Sequence, residues 1–364
     1  MAIATQAARG IFTKAFLAIY KESIKAPSFL SSFFKSKTTT AKQVSIEVQR
    51  GTEKIAVDVM RGTSGNRNQF SLFTEKIYIP PFFNENFDAT ALDFYDRLFG
   101  RNVTPTREVI GGLATEVGNK LTSLRAKIER AKELMAAQVF ETGVVLMKNG
   151  DSLDFKRKAT SMKDNSAAPW TEVATPVEAQ LIAGGNFIRT TGKNVGKTLD
   201  LILSSDGWVA LKKTNYFKDN ANFRNVQLMD ITTPQGDSRG AAYHGRITAG
   251  SFTFNVWTYD EQYTNAAGVS TRYTDPTNAI ILPSQGTNFI YAHAGIPAII
   301  TDKARVEFPQ YIAPMAAEYW INNYIDKERK AHTFEIMSAP APVPVTVDMI
   351  YTMQILGDAN PEVG

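Results

Sequence analysis

The sequence predicts an α+β fold in which a β-ribbon and one long helix precede a body of mixed helices and strands. Three observations support this prediction. Apolar and polar residues alternate within residues 43–82, and apolar residues recur every three, four or seven positions within residues 113–142. Beyond residue 225 the pattern changes to short apolar runs separated by loop residues, which is typical of strands.

The chain opens with a basic, aromatic-rich arm. Residues 1–42 contain seven cations and one anion, a balance of +6, so the remainder carries −2 of the total +4. Such an arm binds either nucleic acid or an acidic surface of a sister subunit. Phe29, Phe33 and Phe34 come before any complete structural unit. They therefore dock either on later parts of their own chain or on a neighbouring subunit.

The ribbon follows the arm. Val44, Ile46 and Val48 alternate with polar residues, a Gly/Ser/Asn-rich tip follows, and the chain returns through Phe70 and Ile77. A ten-residue strand pair reaches about 33 Å. A lone two-stranded hairpin is only marginally stable in water, and its open edges invite pairing. We therefore expect another copy of the same chain to cover this ribbon.

The long helix is predicted over residues 113–142, after the breakers Pro105 and Gly111-Gly112. Its apolar stripe consists of Leu113, Val117, Leu121, Leu124, Ile128, Met135 and Val139. Thirty residues of helix span about 45 Å. This is long for a globular protein.

The remaining elements are shorter. Asn149-Gly150 predicts a hairpin turn, Pro176 opens a helix over residues 176–190, and residues 199–204 form a buried strand. Asp206 caps a further helix that extends to Lys213. Further strands are predicted at residues 226–231, 252–259, 279–282, 298–300, 333–337 and 343–356, whereas residues 311–328 show no clean period.

Composition excludes several classes of function. The chain has no cysteine, which rules out disulfides, zinc-thiolate sites and cysteine nucleophiles. No stretch approaches the ~18 apolar residues of a membrane span. The histidines His244, His293 and His332 are far apart in sequence and form no ligand pair. We therefore predict neither a metal nor a cofactor, and no membrane partner.

Two motifs superficially suggest catalysis or nucleotide binding. The first motif, residues 192–198, resembles a phosphate loop but has three residues between its first Gly and Gly-Lys-Thr, whereas a phosphate loop needs four. A predicted strand also follows it, whereas a phosphate loop requires a helix there. Gly236-Asp237-Ser238-Arg239-Gly240 matches the G-x-S-x-G pattern of a hydrolase, but polar, Pro-broken sequence precedes it. The basic run Lys156-Arg157-Lys158 is typical of a solvated face, with a nucleic-acid contact as the alternative.

The order of these pieces resembles a known family. The stretches that carry the resemblance are Phe29-Leu30-Ser31-Ser32-Phe33-Phe34-Lys35, the tip at residues 61–69, the long helix with the Asn149-Gly150 hairpin, Ser205-Asp206-Gly207-Trp208, and residues 333–340. In this collinear order, over about residues 29–356, the chain resembles the lambda-type major head proteins of tailed phages. These have the capsid fold named for phage Hong Kong 97.

The resemblance implies a four-part subunit without enzymatic activity. It implies an N-terminal arm (1–36), an extended loop (37–87), a peripheral domain (88–160 and 331–364) with 113–142 as its spine helix, and an axial domain (161–330). It also implies an icosahedral shell of pentamers and hexamers around a DNA genome, which the subunits contact without sequence specificity. Scaffold, portal and possible decoration proteins are the implied partners, with assembly in the host cytoplasm and a final location in the virion.

The residues expected at the subunit interface are Phe29, Phe33, Phe34, Arg61, Arg67, Phe70, Lys76 and Ile77. Two alternatives to a phage head stay open. One is an encapsulin-type compartment, which shares the fold but holds cargo protein. The other, from a different class, is a serine hydrolase centred on Ser238.

Overall fold

The computed structural model describes residues 25–48, 74–90, 107–147, 152–221, 229–265, 267–284, 288–301, 310–326, 328 and 331–357. Within these ranges the α-helices are Arg107–Glu141 (α1), Val177–Thr190 (α2), Ser205–Lys213 (α3) and Asn215–Ala221 (α4). None of these described helices has a stretch long and apolar enough to cross a bilayer. The mixture of helices and sheets confirms the predicted α+β class.

Many short strands make up the rest of the described chain. In chain order they are Lys35–Thr38 (β1), Val44–Val48 (β2), Thr74–Tyr78 (β3), Phe83–Thr90 (β4), Val144–Leu146 (β5), Ser152–Asp154 (β6), Met162–Lys163 (β7), Thr198–Leu203 (β8), Met229–Gly236 (β9) and Ala241–Ala249 (β10). They continue with Phe252–Tyr259 (β11), Gln262–Thr264 (β12), Ser270–Arg272 (β13), Asn278–Pro283 (β14), Phe289–His293 (β15), Ile296–Thr301 (β16), Gln310–Met315 (β17), Trp320–Asp326 (β18), Ala331–Ser338 (β19), Pro340–Pro344 (β20) and Tyr351–Gln354 (β21).

A seven-stranded sheet of order β7-β21-β14-β8-β11-β10-β9 lies at the centre. Strand β8 is parallel to β11 and antiparallel to β14. Successive residues of a strand point to opposite faces, so Leu201 and Leu203 join a core cluster with α2 and α3, whereas Ile202 joins one with α1. Both faces of β8 are therefore buried, which explains its nearly continuous apolar sequence.

Helix α1 is longer than predicted. It begins at Arg107 and spans about 52 Å at 1.5 Å per residue. The predicted breakers Gly111-Gly112 lie inside the helix, which starts six residues before the predicted Leu113. A glycine costs a helix only about 1 kcal/mol, so the pair does not end it. Of the predicted stripe, Leu124 and Ile128 pack beside Ile336 of β19, and Met135 and Val139 lie in the central core.

The two predicted hairpins are present where the structure describes them. Strands β2 and β3 pair antiparallel, with Val44 opposite Tyr78, and form a two-stranded sheet of their own. The tip of this ribbon lies outside the described residues. Strands β5 and β6 pair antiparallel with Val145 opposite Leu153, on either side of Asn149-Gly150, and that turn is also outside the described residues.

Some local predictions were wrong. The cap of α3 is Ser204, whose hydroxyl accepts a hydrogen bond from the Gly207 amide at 3.0 Å, and Asp206 lies inside the helix. A serine directly after a buried strand is a better-placed acceptor than an aspartate two residues later. Helix α4 was not predicted. The region without a clean period, residues 311–328, contains β17 and β18.

Candidate functional site

The G-x-S-x-G motif forms a turn of a β-hairpin. Strand β9 ends at Gly236 and β10 begins at Ala241, so the motif joins two strands, whereas a nucleophile elbow joins a strand to a helix. The Asp237 amide donates to the Ala241 carbonyl at 2.7 Å, and Ser238 is exposed. The geometry of this turn does not fit a serine nucleophile.

The Gly/Lys loop before β8 connects a helix to a strand. It leaves α2 after Thr190 and enters β8 at Thr198, so the loop leads into a strand and not into a helix N-terminus. Phosphate loops rely on the amides at a helix N-terminus to bind the anion. The order of elements therefore disagrees with nucleotide binding at this loop.

The three histidines lie in three separate environments. His244 lies 2.9 Å from the Thr258 hydroxyl and packs with a tilted ring against Trp208, and His332 packs with a tilted ring against Phe334. His293 is fully buried, and burial lowers its pKa to about 4. Across the described residues, no group of three His, Cys, Asp or Glu side chains could hold a metal ion.

Arg157 of the basic run is a buried structural residue and does not belong to a solvated face. It is 9% exposed, and its guanidinium donates to the Phe140 and Glu141 carbonyls at 2.8 Å each, which closes the C-terminal end of α1. Burial lowers the pKa of Arg157 to about 10, so the side chain stays cationic at neutral pH. The flanking Lys156 and Lys158 form ion pairs with Asp154 and Asp348.

The aromatic arm docks on its own chain. Phe29 is 1% exposed, with its ring 5.2 Å from that of Trp257 and 5.7 Å from that of Tyr259. Phe34 is 7% exposed and contacts Phe140 of α1. The sequence left open whether the aromatic residues dock on their own chain or on a neighbouring subunit. Phe29 and Phe34 dock on their own chain. An additional contact with a neighbour stays a prediction, most directly for the half-buried Phe33.

A carboxylate from α1 holds the backbone of the arm. Glu133 is fully buried, and its two oxygens accept hydrogen bonds from the Leu30 amide at 2.7 Å and the Ser31 amide at 2.9 Å. The Tyr259 hydroxyl donates to the same carboxylate at 2.8 Å. Burial raises the pKa of Glu133, and the hydrogen bonds from Ser31, Leu30 and Tyr259 oppose this rise. Glu133 thus satisfies the two amides that open the one turn of 3-10 helix at Ser31–Phe33.

The hairpin turn between β9 and β10 holds the other side of the arm. The Ser28 amide donates to the Arg239 carbonyl at 3.0 Å, and the Arg239 guanidinium donates to the Ser32 hydroxyl at 2.8 Å. The guanidinium also lies 5.5 Å from the centre of the Phe29 ring and pairs with Asp237. We call Glu133, Arg239 and Tyr259 together the arm seat. A cavity of about 340 Å³ lies beside it, with Asp200 among its lining residues.

The remaining predicted interface residues belong to the ribbon. Lys76 and Ile77 lie on β3, where Ile77 is opposite Ser45 of β2 and Lys76 is opposite Ile46. Arg61, Arg67 and Phe70 lie outside the described residues. The structure therefore places Phe29 at the seat, with Phe33 and Phe34 packed beyond it on Phe140 of α1. It places Lys76 and Ile77 at the base of the ribbon.

Nearly the whole sequence matches a known protein family. Residues 14–355 match the family described as phage major capsid protein E. The chain belongs to this family. It is thus a shell-forming major capsid protein of a phage head, and the resemblance predicted from the sequence is confirmed. No curated protein matches the sequence.

Solved structures share the fold of this capsid protein at low identity. A protein described as the capsid protein of a prophage in E. coli CFT073 is 15% identical with a TM-score of 0.56, covering 94% of this chain and 98% of that one. A phage-related protein from Bordetella bronchiseptica RB50 is 10% identical with a TM-score of 0.51, covering 93% and 94%. The capsid of cyanophage A-1(L) is 11% identical with a TM-score of 0.50, covering 93% and 94%. These similarities show a shared fold.

Sequence reasoning missed the polar residues of the arm seat. Glu133 is not part of the apolar stripe predicted for the long helix, and Arg239 entered only as part of the G-x-S-x-G pattern. The helical spacing gave no signal for Glu133. At 3.6 residues per turn it lies about 140° around the helix from Ile128, on the side away from the predicted apolar stripe.

Proposed function

We propose that this capsid protein assembles into an icosahedral shell by laying its ribbon over an adjacent copy. The observation that carries the proposal is the isolated β2–β3 sheet, which has no third strand among the described residues. A two-stranded hairpin of this kind is marginal in water. A second copy supplies the missing cover, because every subunit in a shell has identical neighbours.

The four-part division of the chain is also a proposal. In its favour, the spine helix α1 packs with the three-stranded sheet β18-β19-β4 through Leu124, Ile128 and Ile336. A second cluster lies between the seven-stranded sheet and helices α2 and α3. Strand β21, from the segment 331–364, pairs with β14, so the proposed peripheral and axial parts share the seven-stranded sheet.

The function is proposed to consist of self-association, with no catalytic step. The G-x-S-x-G motif lies in a β-hairpin turn, and the Gly/Lys loop leads into a strand, so neither has the geometry that catalysis or phosphate binding requires. The proposed partners are further copies in pentamers and hexamers, a scaffold, a portal, possible decoration proteins and the packaged DNA. The proposed site of assembly is the host cytoplasm. Purified particles that contain DNA support a head, and particles filled with enzyme would instead support the encapsulin-type compartment.

The ribbon proposal is tested at Ile77. Ile77→Glu or Ile77→Pro is expected to abolish shells while leaving the subunit soluble, because a charge or a lost backbone donor disrupts a covered ribbon. Ile77→Val is the matched control and is expected to assemble normally. Electron microscopy and sedimentation measure shell yield. Normal shells from both disruptive variants would contradict the role of the ribbon.

A further inference from the structure

The ribbon is attached to the body of the subunit at two ends. After β3 it continues through residues 79–82 into β4, which pairs along its whole length with β19. Before β2 it is reached from β1, which lies parallel to β15 with Lys35 opposite Ile290 and Thr38 opposite His293. The direction in which the ribbon leaves the body therefore depends on both β4 and β1.

Strand β1 has little to hold it except its backbone. All four of its side chains are exposed, so it buries no apolar group of its own. The attachment continues with the Thr39 amide, which donates to the His293 carbonyl at 2.9 Å, and the Gly295 amide, which donates to the Ala41 carbonyl at 2.8 Å. Exposed edge strands held only by backbone bonds open easily. The anchor for this end of the ribbon must lie further upstream.

The upstream anchor is the arm seat. Phe29 and Leu30 are almost fully buried there, and only the short 3-10 turn and Phe34 separate them from β1. Burial of aromatic and aliphatic side chains supplies attachment, but it does not fix a register, because apolar contacts are not directional. The carboxylate of Glu133 supplies the direction. Its two oxygens receive two consecutive backbone amides, those of Leu30 and Ser31. A slip that brought Ser32 to this place would present an amide that already donates to the Ser28 and Phe29 carbonyls.

We propose that Glu133 is a positioning residue for shell assembly: it fixes the register of the arm, and through β1 the angle of the ribbon, without touching a neighbouring subunit. Arg239 has the same role from the opposite side of the arm, through Ser28 and Ser32. The proposal rests on the proposed function, because it matters for assembly only if the ribbon contacts a neighbour.

Glu133→Gln tests the proposal in the full-length subunit. A glutamine can accept only one of the two arm amides, and its own N–H groups face the other. Hydrogen exchange of the isolated subunit is expected to accelerate by about tenfold to a hundredfold at residues 30–31 and 35–48. Exchange in β8, at the centre of the sheet, stays at its wild-type rate. Shell yield under assembly conditions is expected to fall by at least about tenfold.

Glu129→Gln is the matched control. Glu129 is one turn earlier on α1, its carboxylate accepts the Tyr319 hydroxyl at 2.6 Å, and it pairs with Lys132 instead of the arm. This variant is expected to show wild-type exchange at residues 35–48 and wild-type shell yield. If Glu133→Gln is insoluble, Arg239→Ala carries the same test with the same criteria, since Arg239 is the less buried member of the seat.

The outcomes separate this proposal from the ribbon proposal. Selective acceleration at residues 35–48 together with lost shells supports it. Normal shells from Glu133→Gln overturn it, and so does acceleration that extends equally to β8 or that Glu129→Gln reproduces, since Glu133 would then be only a structural residue. Exchange is measured on isolated subunits, so it reports on the seat even if Ile77→Glu shows that the ribbon touches no neighbour.

Discussion

Arg157 closes the C-terminal end of helix α1, and its replacement by methionine gives the most quantitative test of the fold. Besides the two α1 carbonyls, its guanidinium donates to the Ser161 carbonyl at 3.1 Å and the Ile350 carbonyl at 3.3 Å. It also donates to the Thr352 hydroxyl at 3.1 Å. One side chain thus joins α1 to the segment that leads into β21.

The cost of Arg157→Met follows from the groups left without a donor. The Phe140 carbonyl keeps the Thr352 hydroxyl as donor at 2.7 Å, whereas the Glu141, Ser161 and Ile350 carbonyls lose the guanidinium. Each buried unsatisfied group costs about 1–3 kcal/mol, and the favourable placement of a cation at a helix C-terminus is also lost. The expected loss is about 3–5 kcal/mol. At about 2.1 cal/mol/K per residue, 364 residues give an unfolding entropy of about 0.8 kcal/mol/K, so Tm falls by about 4–6 °C.

Differential scanning calorimetry of the unassembled subunit measures this change. Lys156→Met is the control, since Lys156 is the adjacent residue and its side chain is 70% exposed. Its surface ion pair with Asp154 contributes less than about 1 kcal/mol. If Arg157→Met melts within about 1 °C of Lys156→Met, the guanidinium does not hold α1 to β21, and the magnitude argued here is wrong.

Two further predictions concern pH and are measured by urea unfolding of unassembled subunits. Burial raises the pKa of Glu141 from 4.5 to about 7, so its contribution to the free energy of unfolding is full below pH 4.5 and is lost as pH rises through 7. Glu141→Gln should remove up to about 3 kcal/mol of this decline. An unchanged dependence of the free energy of unfolding on pH in this variant would contradict the prediction. Burial, followed by the charge of Lys132, lowers the pKa of His293 from 6.5 to about 4, so stability is full above pH 6.5 and declines as pH falls towards 4. His293→Leu should abolish that acid decline and be no less stable at pH 7, because neither ring nitrogen has a partner among the described residues. Loss of stability at pH 7 would refute this account of His293.

Local pattern was sufficient to predict the long helix, the ribbon and several short elements. Strand β11 occupies the residues predicted for it, and α2 differs from its prediction by one residue. These segments have strong periodicity or clear turn residues, and neighbours in sequence decide their structure. The failures at the start of α1 and the cap of α3 were also local. At α1, the pair Gly111-Gly112 was taken as a helix breaker although the helix continues through it. At α3, Asp206 was taken as the cap although Ser204, at the end of the preceding strand, is the cap.

Non-local pairing could not be predicted in the same way. The order of the seven-stranded sheet places β21 beside β14 and β8 beside β11, and no sequence spacing specifies these neighbours. The partners of Glu133 are about a hundred residues away on one side and 126 on the other. A charged residue on a helix surface is usually solvated, so only the packed structure distinguishes Glu133 from exposed charges of the same helix such as Arg125 and Lys127.

The chemistry of the arm seat explains why a carboxylate, and not another apolar side chain, lies at its centre. An apolar residue at position 133 would attach the arm almost as strongly, since aromatic and aliphatic burial provides most of the attachment. It would also accept the arm in several registers of similar energy. A buried carboxylate is costly in every register that leaves it without donors, and only the arrangement with Leu30, Ser31 and Tyr259 supplies three. Glu133 therefore contributes less to the stability of the correct register than to the instability of the wrong ones. In a shell built from many copies, an error in that register would be repeated at every contact that the ribbon makes.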